Sequence, residues 1–194
     1  MPKVGMEEMR RKALIGAAVD AIHVHGFCDV TVSKIAKRAG VSSGLAHHYF
    51  GSKADLLAAT MRSLLTDLGE GIRQRVRLAG SPRARVSAIV DGNFAPDQFQ
   101  PAVIAAWLAF YVQAQTSENS RRLLKIYSKR LISNLTFHLK ELTDHDHAFR
   151  IAEGIAALID GFYIRRGLKD GPPDPHSAIR IIEDYIEIQL RARP

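Results

Sequence analysis

The chain has 194 residues, of which 46% are apolar and 24% charged, and its net charge is +7. That length and mix support a buried core without disulfide or metal staples and argue against disorder away from the termini. The single cysteine, Cys28, excludes an intrachain disulfide, and the basic excess favours an anionic partner without naming one.

The charge is uneven. Residues 1–53 hold eight Lys/Arg against four acids, a net of +4, while the other 141 residues hold a net of +3. The segment Met6–Lys12 is too charged to be the core of a signal peptide. The least polar stretch, Ala102–Val112, has eleven residues and is too short to cross a bilayer. A cytoplasmic protein is expected.

In chain order, Glu7–His25 puts Leu14, Ala18, Ala21 and His25 on one stripe, with Ile15, Val19 and Ile22 beside it, which is helical period. Gly26 is its stop signal. Thr31 caps a second helix through Ala39, ended by Gly40, and Ser42 or Ser43 caps a third through Phe50. Ser52 and Asp55 form a capping-box pair opening a long helix from Lys53 to about Leu78. After Gly80-Ser81, Pro82 takes a first helical position. Further helices are expected at 83–94, 101–115, 118–142, 146–168 and 176–191, punctuated by Pro96, Pro101, the Gly171-Pro172-Pro173 run and Pro175. No strand pattern or internal repeat is evident, so the fold class is all-α. A three-helix unit is joined to a larger helical domain through the helix that starts at Lys53.

Residues 32–51 read VSKIAKRAGVSSGLAHHYFG. Ile35 and Ala39 face inward from the first helix of this segment, and Ala36 is small enough for a close crossing. Gly40 permits a left-handed backbone, and Val41, Ala46 and Tyr49 supply the inward face of the second helix. Two helices crossing steeply through a glycine turn make a helix-turn-helix, whose second helix enters the DNA major groove. An ordinary helical hairpin would share any one of these features; their combination, with local basic charge and a supporting amphipathic helix, points to DNA.

Phosphate contacts position such a protein and base-edge contacts specify sequence. Thr31 and Ser42 stand at helix starts, where free N–H groups favour phosphate. Base readers are expected at the start of the second helix, at Ser43, Gly44, Leu45, His47 and His48, with Ser33 assisting from the helix before. Gly44 lets the backbone approach closely. Lys53 offers a charge in the same region, and Arg10 and Arg11 either reach flanking phosphates or make a solvated face. His47 and His48 point about 100° apart on a helix and have no third ligand, so no metal site is expected. No catalytic residues are assigned: nucleophile–base sets, phosphate loops and metal spacings are missing. A basic architectural protein that bends DNA without sequence choice stays open on these residues alone.

The segment TVSKIAKRAGVSSGLAHHYFGSKADLL resembles the signature of the TetR family of repressors. In that family a polar residue of the second helix and the lysine after it grip phosphates. Lys53 matches that lysine and Phe50 the family's buried aromatic. The frequent tyrosine falls at His47 here, and Tyr49, where the family often has His, joins the DNA-binding set. The opening MPKVGMEEMRRKAL, with GNF at 92–94, AWLAFY at 106–111, KRLISNL at 129–135 and AALIDGFYIR at 156–165, resembles the choline-responsive branch of the family, repressors of glycine betaine synthesis genes. The resemblance implies a DNA-binding domain at 1–52 and a sensing and dimerisation domain at 53–194. It implies choline as effector, with no cofactor, and a homodimer on a palindromic double-stranded operator.

Trp107, Phe110 and Tyr111 share one helix face, and from spacing alone such a stripe is core packing. The resemblance makes them candidates for holding a quaternary ammonium, which proteins hold over aromatic faces. Phe94, Tyr127 and Tyr163 are further candidates. Asp160, inside an apolar string, either balances the cation or pairs with Arg165 or Arg166, and Asn93 could meet the choline hydroxyl. Another lipophilic cation or a drug is the alternative effector. The last two helices carry wide apolar faces, Ile151, Ile155, Leu158, Ile159 and Phe162 on one, and Ile179, Ile182, Tyr185, Ile186 and Leu190 on the other. These fit either a two-fold dimer bundle or burial within one chain.

Overall fold

The computed structural model describes residues 4–168 and 174–192, without the side chains of Val4 and Gly5, so the expected break at Gly171-Pro172-Pro173 lies outside the described residues. Nine helices run through the described residues in the order α1 (Val4–Asp29), α2 (Val32–Arg38), α3 (Ser43–Phe50), α4 (Lys53–Leu78), α5 (Pro82–Asn93), α6 (Pro101–Thr116), α7 (Glu118–Leu139), α8 (His145–Gly167) and α9 (Pro175–Arg191). The chain is all-α, as expected, and the caps read from the sequence at Thr31 and Ser42 are present. Side chains of Thr31, Ser42, Ser81, Asp144 and Asp174 accept N–H bonds at their helix starts. Gly26, at φ 73°, interrupts α1 where the stop was placed.

The helices sort into two compact units, one of residues 1–65 with 101–124, the other of 66–100 with 125–194. A boundary was expected after residue 52; packing groups the helices another way, because α6 joins the first unit against α1. In that unit α1 buries Leu14, Ala18, Ala21 and Ile22, α2 buries Ile35 and Ala36, and α4 buries Leu56, Leu57 and Met61. Helix α6 is apolar on nearly all sides and correspondingly buries Val103, Ile104, Trp107 and Phe110.

In the second unit α9 packs on both α8 and α5. Ile151, Ile155 and Ile159 of α8, and Ile182 and Ile186 of α9, are almost completely buried. Each such side chain contributes about 1.5–3 kcal/mol of transfer free energy. These residues therefore cement α8 to α9 within one chain. Arg83 of α5 adds a polar clasp to Glu183 and Glu187 of α9, the latter at 3.0 Å. Where α8 and α9 cross, Gly154 lies against the Tyr185 ring, and a Cβ there would collide with it. Gly154→Ala should lower stability by about 1–3 kcal/mol through overpacking, read as a drop in the urea midpoint. Adding Tyr185→Ala should make the second substitution less costly than it is alone. Additive losses would show that the two sites do not touch.

Candidate nucleic-acid interface and effector site

The turn between α2 and α3 is a Schellman motif. Val41 N–H donates to Ala36 C=O at 3.0 Å and Gly40 N–H to Lys37 C=O at 3.2 Å, with Gly40 at φ 68°. This closes α2 and releases the chain at Ser42, whose Oγ accepts from Leu45 N–H at 3.2 Å. Thr31 Oγ1 does the same for Lys34 N–H at 3.2 Å. Each hydroxyl is thus fixed as an acceptor, with its own proton left to donate to a phosphate.

Helix α3 turns Ala46 and Phe50 into the core and leaves Ser43, Gly44, His47 and His48 exposed, with Leu45 and Tyr49 half-buried. Ser33 is exposed on α2. The expected base readers therefore stand on one short, accessible helix. His47 Nδ1 lies 2.7 Å from Gly51 C=O and donates to it, so Nε2 is the nitrogen left for another partner. Gly44 is informative because a Cβ there would meet nothing within 4 Å. The fold gives no steric reason for glycine at a position where it costs up to about 1 kcal/mol relative to Ala; close approach of a partner does.

Two cations have roles that the sequence did not reveal. Arg11 Nη2 donates to Tyr49 C=O at 3.1 Å, and its guanidinium lies 5.4 Å and 5.2 Å from the Tyr49 and Phe50 ring centres. It braces the end of α3. Lys53 Nζ donates to Phe27 C=O at 2.5 Å and Cys28 C=O at 3.3 Å, and sits 4.3 Å over the Phe27 ring. An ammonium has three N–H donors, so one remains for phosphate after the end of α1 is tied to the start of α4. Ser52 and Asp55 meet as expected, but the bonding differs. Ser52 Oγ accepts from Asp55 N–H at 3.1 Å and donates to the Asp55 carboxylate at 2.6 Å, so that carboxylate is held by a hydroxyl.

The effector candidates fall into two groups. In the second unit Tyr163 O–H donates to Asn93 C=O at 2.5 Å, and Asn93 Nδ2 donates to Ile89 C=O at 2.8 Å. Tyr127 O–H lies 3.5 Å from Asn93 Oδ1. The Phe94 ring centre is 6.1 Å from that of Tyr163, 5.2 Å from Phe99 and 6.0 Å from Phe162. Phe99 was not anticipated, since it lies in a short connection with no periodic signal, and Phe162 was read only as part of an apolar face. The negative charge of Asp160 reaches both phenols. Burial first, then Asp160, push Tyr127 well above the usual phenol range; burial, then Asp97 and Asp160, push Tyr163 up as well. Both remain neutral hydroxyls in a negative field among aromatic rings. Trp107, Phe110 and Tyr111 form a separate group in the first unit, where Trp107 stands 6.2 Å from Phe110 and 5.7 Å from Tyr111 between ring centres.

A capped, exposed helix of polar residues behind a glycine turn, backed by basic side chains, defines a helix-turn-helix DNA-binding protein. Residues 14–60 match the family described as bacterial regulatory proteins, tetR family, and residues 82–191 match the BetI-type transcriptional repressor C-terminal family. The chain belongs to the TetR family, with a BetI-type C-terminal region, and is a transcriptional repressor, not an enzyme. Members of the family bind DNA and typically act as dimers. It is 53% identical over 194 residues to the HTH-type transcriptional regulator BetI of Brucella melitensis, covering 100% of this chain and 98% of that one. It is 55% identical to the Agrobacterium fabrum protein of the same name, covering 100% and 94%. A crystal structure of a transcriptional regulator from Pseudomonas aeruginosa superposes with a TM-score of 0.83 at 27% identity, covering 95% of this chain and 92% of the other. A regulator from Saccharomonospora viridis, crystallised in complex with choline, shares the fold with a TM-score of 0.77 at 20% identity, covering 91% and 95%. No described helix is long and apolar enough to cross a membrane.

Gly44→Ala should raise thermal stability, by up to about 1 kcal/mol, while weakening DNA binding in a mobility-shift titration. Stability and affinity rising together would show that nothing approaches the backbone there.

Proposed function

We propose that this repressor controls genes for converting choline to glycine betaine and that choline is its effector. The identity above 50% to proteins named BetI across the whole chain carries the pathway. The second unit supplies chemistry that suits the ligand. A quaternary ammonium has no N–H to donate, so it is held by aromatic faces and by negative potential. Phe94, Tyr127 and Tyr163 offer the faces and Asp160 the charge; Asn93, between the two phenols, offers a polar partner for a hydroxyl. Trp107, Phe110 and Tyr111 are the further aromatic candidates.

The DNA-binding set is Thr31, Ser33, Ser42, Ser43, Gly44, Leu45, His47, His48, Tyr49 and Lys53. The protein acts as a homodimer on a palindromic operator, with recognition helices about 34–36 Å apart in successive major grooves. Of the apolar faces on the last two helices, which fitted either a dimer bundle or burial within one chain, Ile151, Ile155, Ile159, Ile182 and Ile186 are buried within the chain. The apolar side chains exposed on α8 and α9, Phe149, Ile164, Ile181 and Ile188, with Leu168 just after α8, are the surface offered to a second copy.

A mobility shift on the DNA upstream of the protein's own gene, with choline, glycine betaine and a dye cation added separately, tests the reading. The expected result is a specific shift that choline alone changes. Asp160→Asn should leave operator affinity within about twofold yet raise the choline concentration needed by about tenfold, a loss of one half-buried charge contact. A choline titration identical to wild type would remove Asp160 from the site.

A further inference from the structure

Helix α3 ends on a double tie. Gly51 N–H donates to His47 C=O at 2.7 Å, and Gly51, at φ 70°, turns its own carbonyl to His47 Nδ1, also at 2.7 Å. A carbonyl oxygen only accepts, so a proton is fixed at Nδ1. A neutral imidazole has a single N–H, and that of His47 is committed inside the protein. Nε2 is left as a bare lone pair on an exposed side chain. The fold has thus given His47 a polarity: toward a partner its neutral ring accepts a hydrogen bond and has none to donate.

That polarity selects among the groups of a duplex. Phosphate oxygens only accept, so a neutral His47 has no bond to offer them. In the major groove the N7 and O6 atoms of guanine, N7 of adenine and O4 of thymine also only accept. The donors there are the exocyclic amino groups, N6 of adenine and N4 of cytosine. The place of His47 in α3 suits such a contact. It lies one helical turn from Ser43 and Gly44, on the face they share, and at Gly44 a Cβ would meet nothing within 4 Å. Ser42, the cap of the same helix, has the opposite polarity: its Oγ accepts from Leu45 N–H and keeps its own proton to donate.

We propose that His47 determines sequence by accepting, at Nε2, from the exocyclic amino group of an adenine or a cytosine in the major groove. This rests on the DNA-binding set above and gives one of its members a fixed direction of hydrogen bonding.

Selection from a random duplex library by wild type and by His47→Ala, at about pH 8, where free imidazole is neutral, locates the base pair. One position preferred by wild type should lose its preference in the variant. At that position purine in place of adenine, or pyrimidinone in place of cytosine, removes the amino group. Wild type should bind the amino-free duplex about fivefold more weakly, the loss of one neutral hydrogen bond, while His47→Ala binds both duplexes alike. A deazapurine lacking N7 in the same base pair removes an acceptor and should change neither. His47→Gln, whose amide oxygen accepts, should keep part of the preference, and His47→Arg, which only donates, should move it to guanine. Should His47→Ala blur every position by loosening α3, His47→Gln replaces it as the comparison. A wild type weakened by the deazapurine and not by the amino-free duplex overturns the proposal, since His47 would then donate. So does a His47→Ala chain that keeps every base preference, whether its affinity is unchanged or falls uniformly with a salt dependence shallower by about one, the mark of a phosphate contact. A wild type that enriches no sequence would remove the base-reading set as a whole, and this contact with it.

Discussion

An eight-residue helix does not hold its shape in water, where isolated helices shorter than about 12–15 residues are marginal. Helix α3 must nevertheless present a polar, accessible face, so its order comes entirely from behind and from its ends. Ala46 and Phe50 anchor the rear. The Schellman turn at Gly40 and the Ser42 cap define the front end, and Arg11 on Tyr49 C=O with His47 on Gly51 C=O hold the far end. Each of these bonds satisfies a helix-terminal group that the short helix cannot satisfy for itself. The exposed Ser43, Gly44 and His48 are not among the groups that hold the helix, and His47 keeps Nε2 outside its own bond, which is the condition for reading DNA.

In the second unit the same accounting applies to buried polar groups around aromatic rings. Tyr163 and Asn93 satisfy backbone carbonyls at Asn93 and Ile89, so polar side chains fix the end of α5 beneath Phe94. The phenols stay protonated because burial and Asp160 both oppose phenolate formation. A cation arriving there would relieve the unfavourable field of Asp160, whereas an anion would add to it.

The sequence made most helices legible because their ends are written in local chemistry. Thr31, Ser42, Ser81 and Asp174 are caps whose bonds lie within three residues, and Lys53–Leu78 was bounded correctly by Ser52 ahead and Gly80 behind. The seventh helix ended at Leu139 instead of 142, for want of a glycine or proline stop there. What the pattern could not state was partnership. An apolar stripe says that Trp107 is buried, not that α6 packs on α1. The charges of Arg11 and Lys53 are visible in a sequence, while the carbonyls of Tyr49 and Phe27 that also accept from them, 38 and 26 residues away, are not. Phe99 escaped notice for the same reason: it lies in a connection without periodicity, and only the fold brings it to Phe94.

The size of the required response bounds the effector site. Moving a two-state protein from 99:1 to 1:99 takes a differential affinity of about 10⁴-fold, or roughly 5.5 kcal/mol. One cation–π contact supplies about 0.5–2 kcal/mol. A single aromatic ring, even a tryptophan, therefore cannot switch this protein by itself. Several faces must close on the ammonium in one state and not in the other, with a carboxylate adding to them. On the proposed choline reading, Phe94, Phe99, Phe162 and Tyr163, whose ring centres lie within 5.2–6.1 Å along their contacts, would supply the first need and Asp160 the second. They come from the connection after α5 and from α8, so gathering them tightly requires those segments to shift together. That concerted requirement is what would convert a small, singly charged ligand into a change of state.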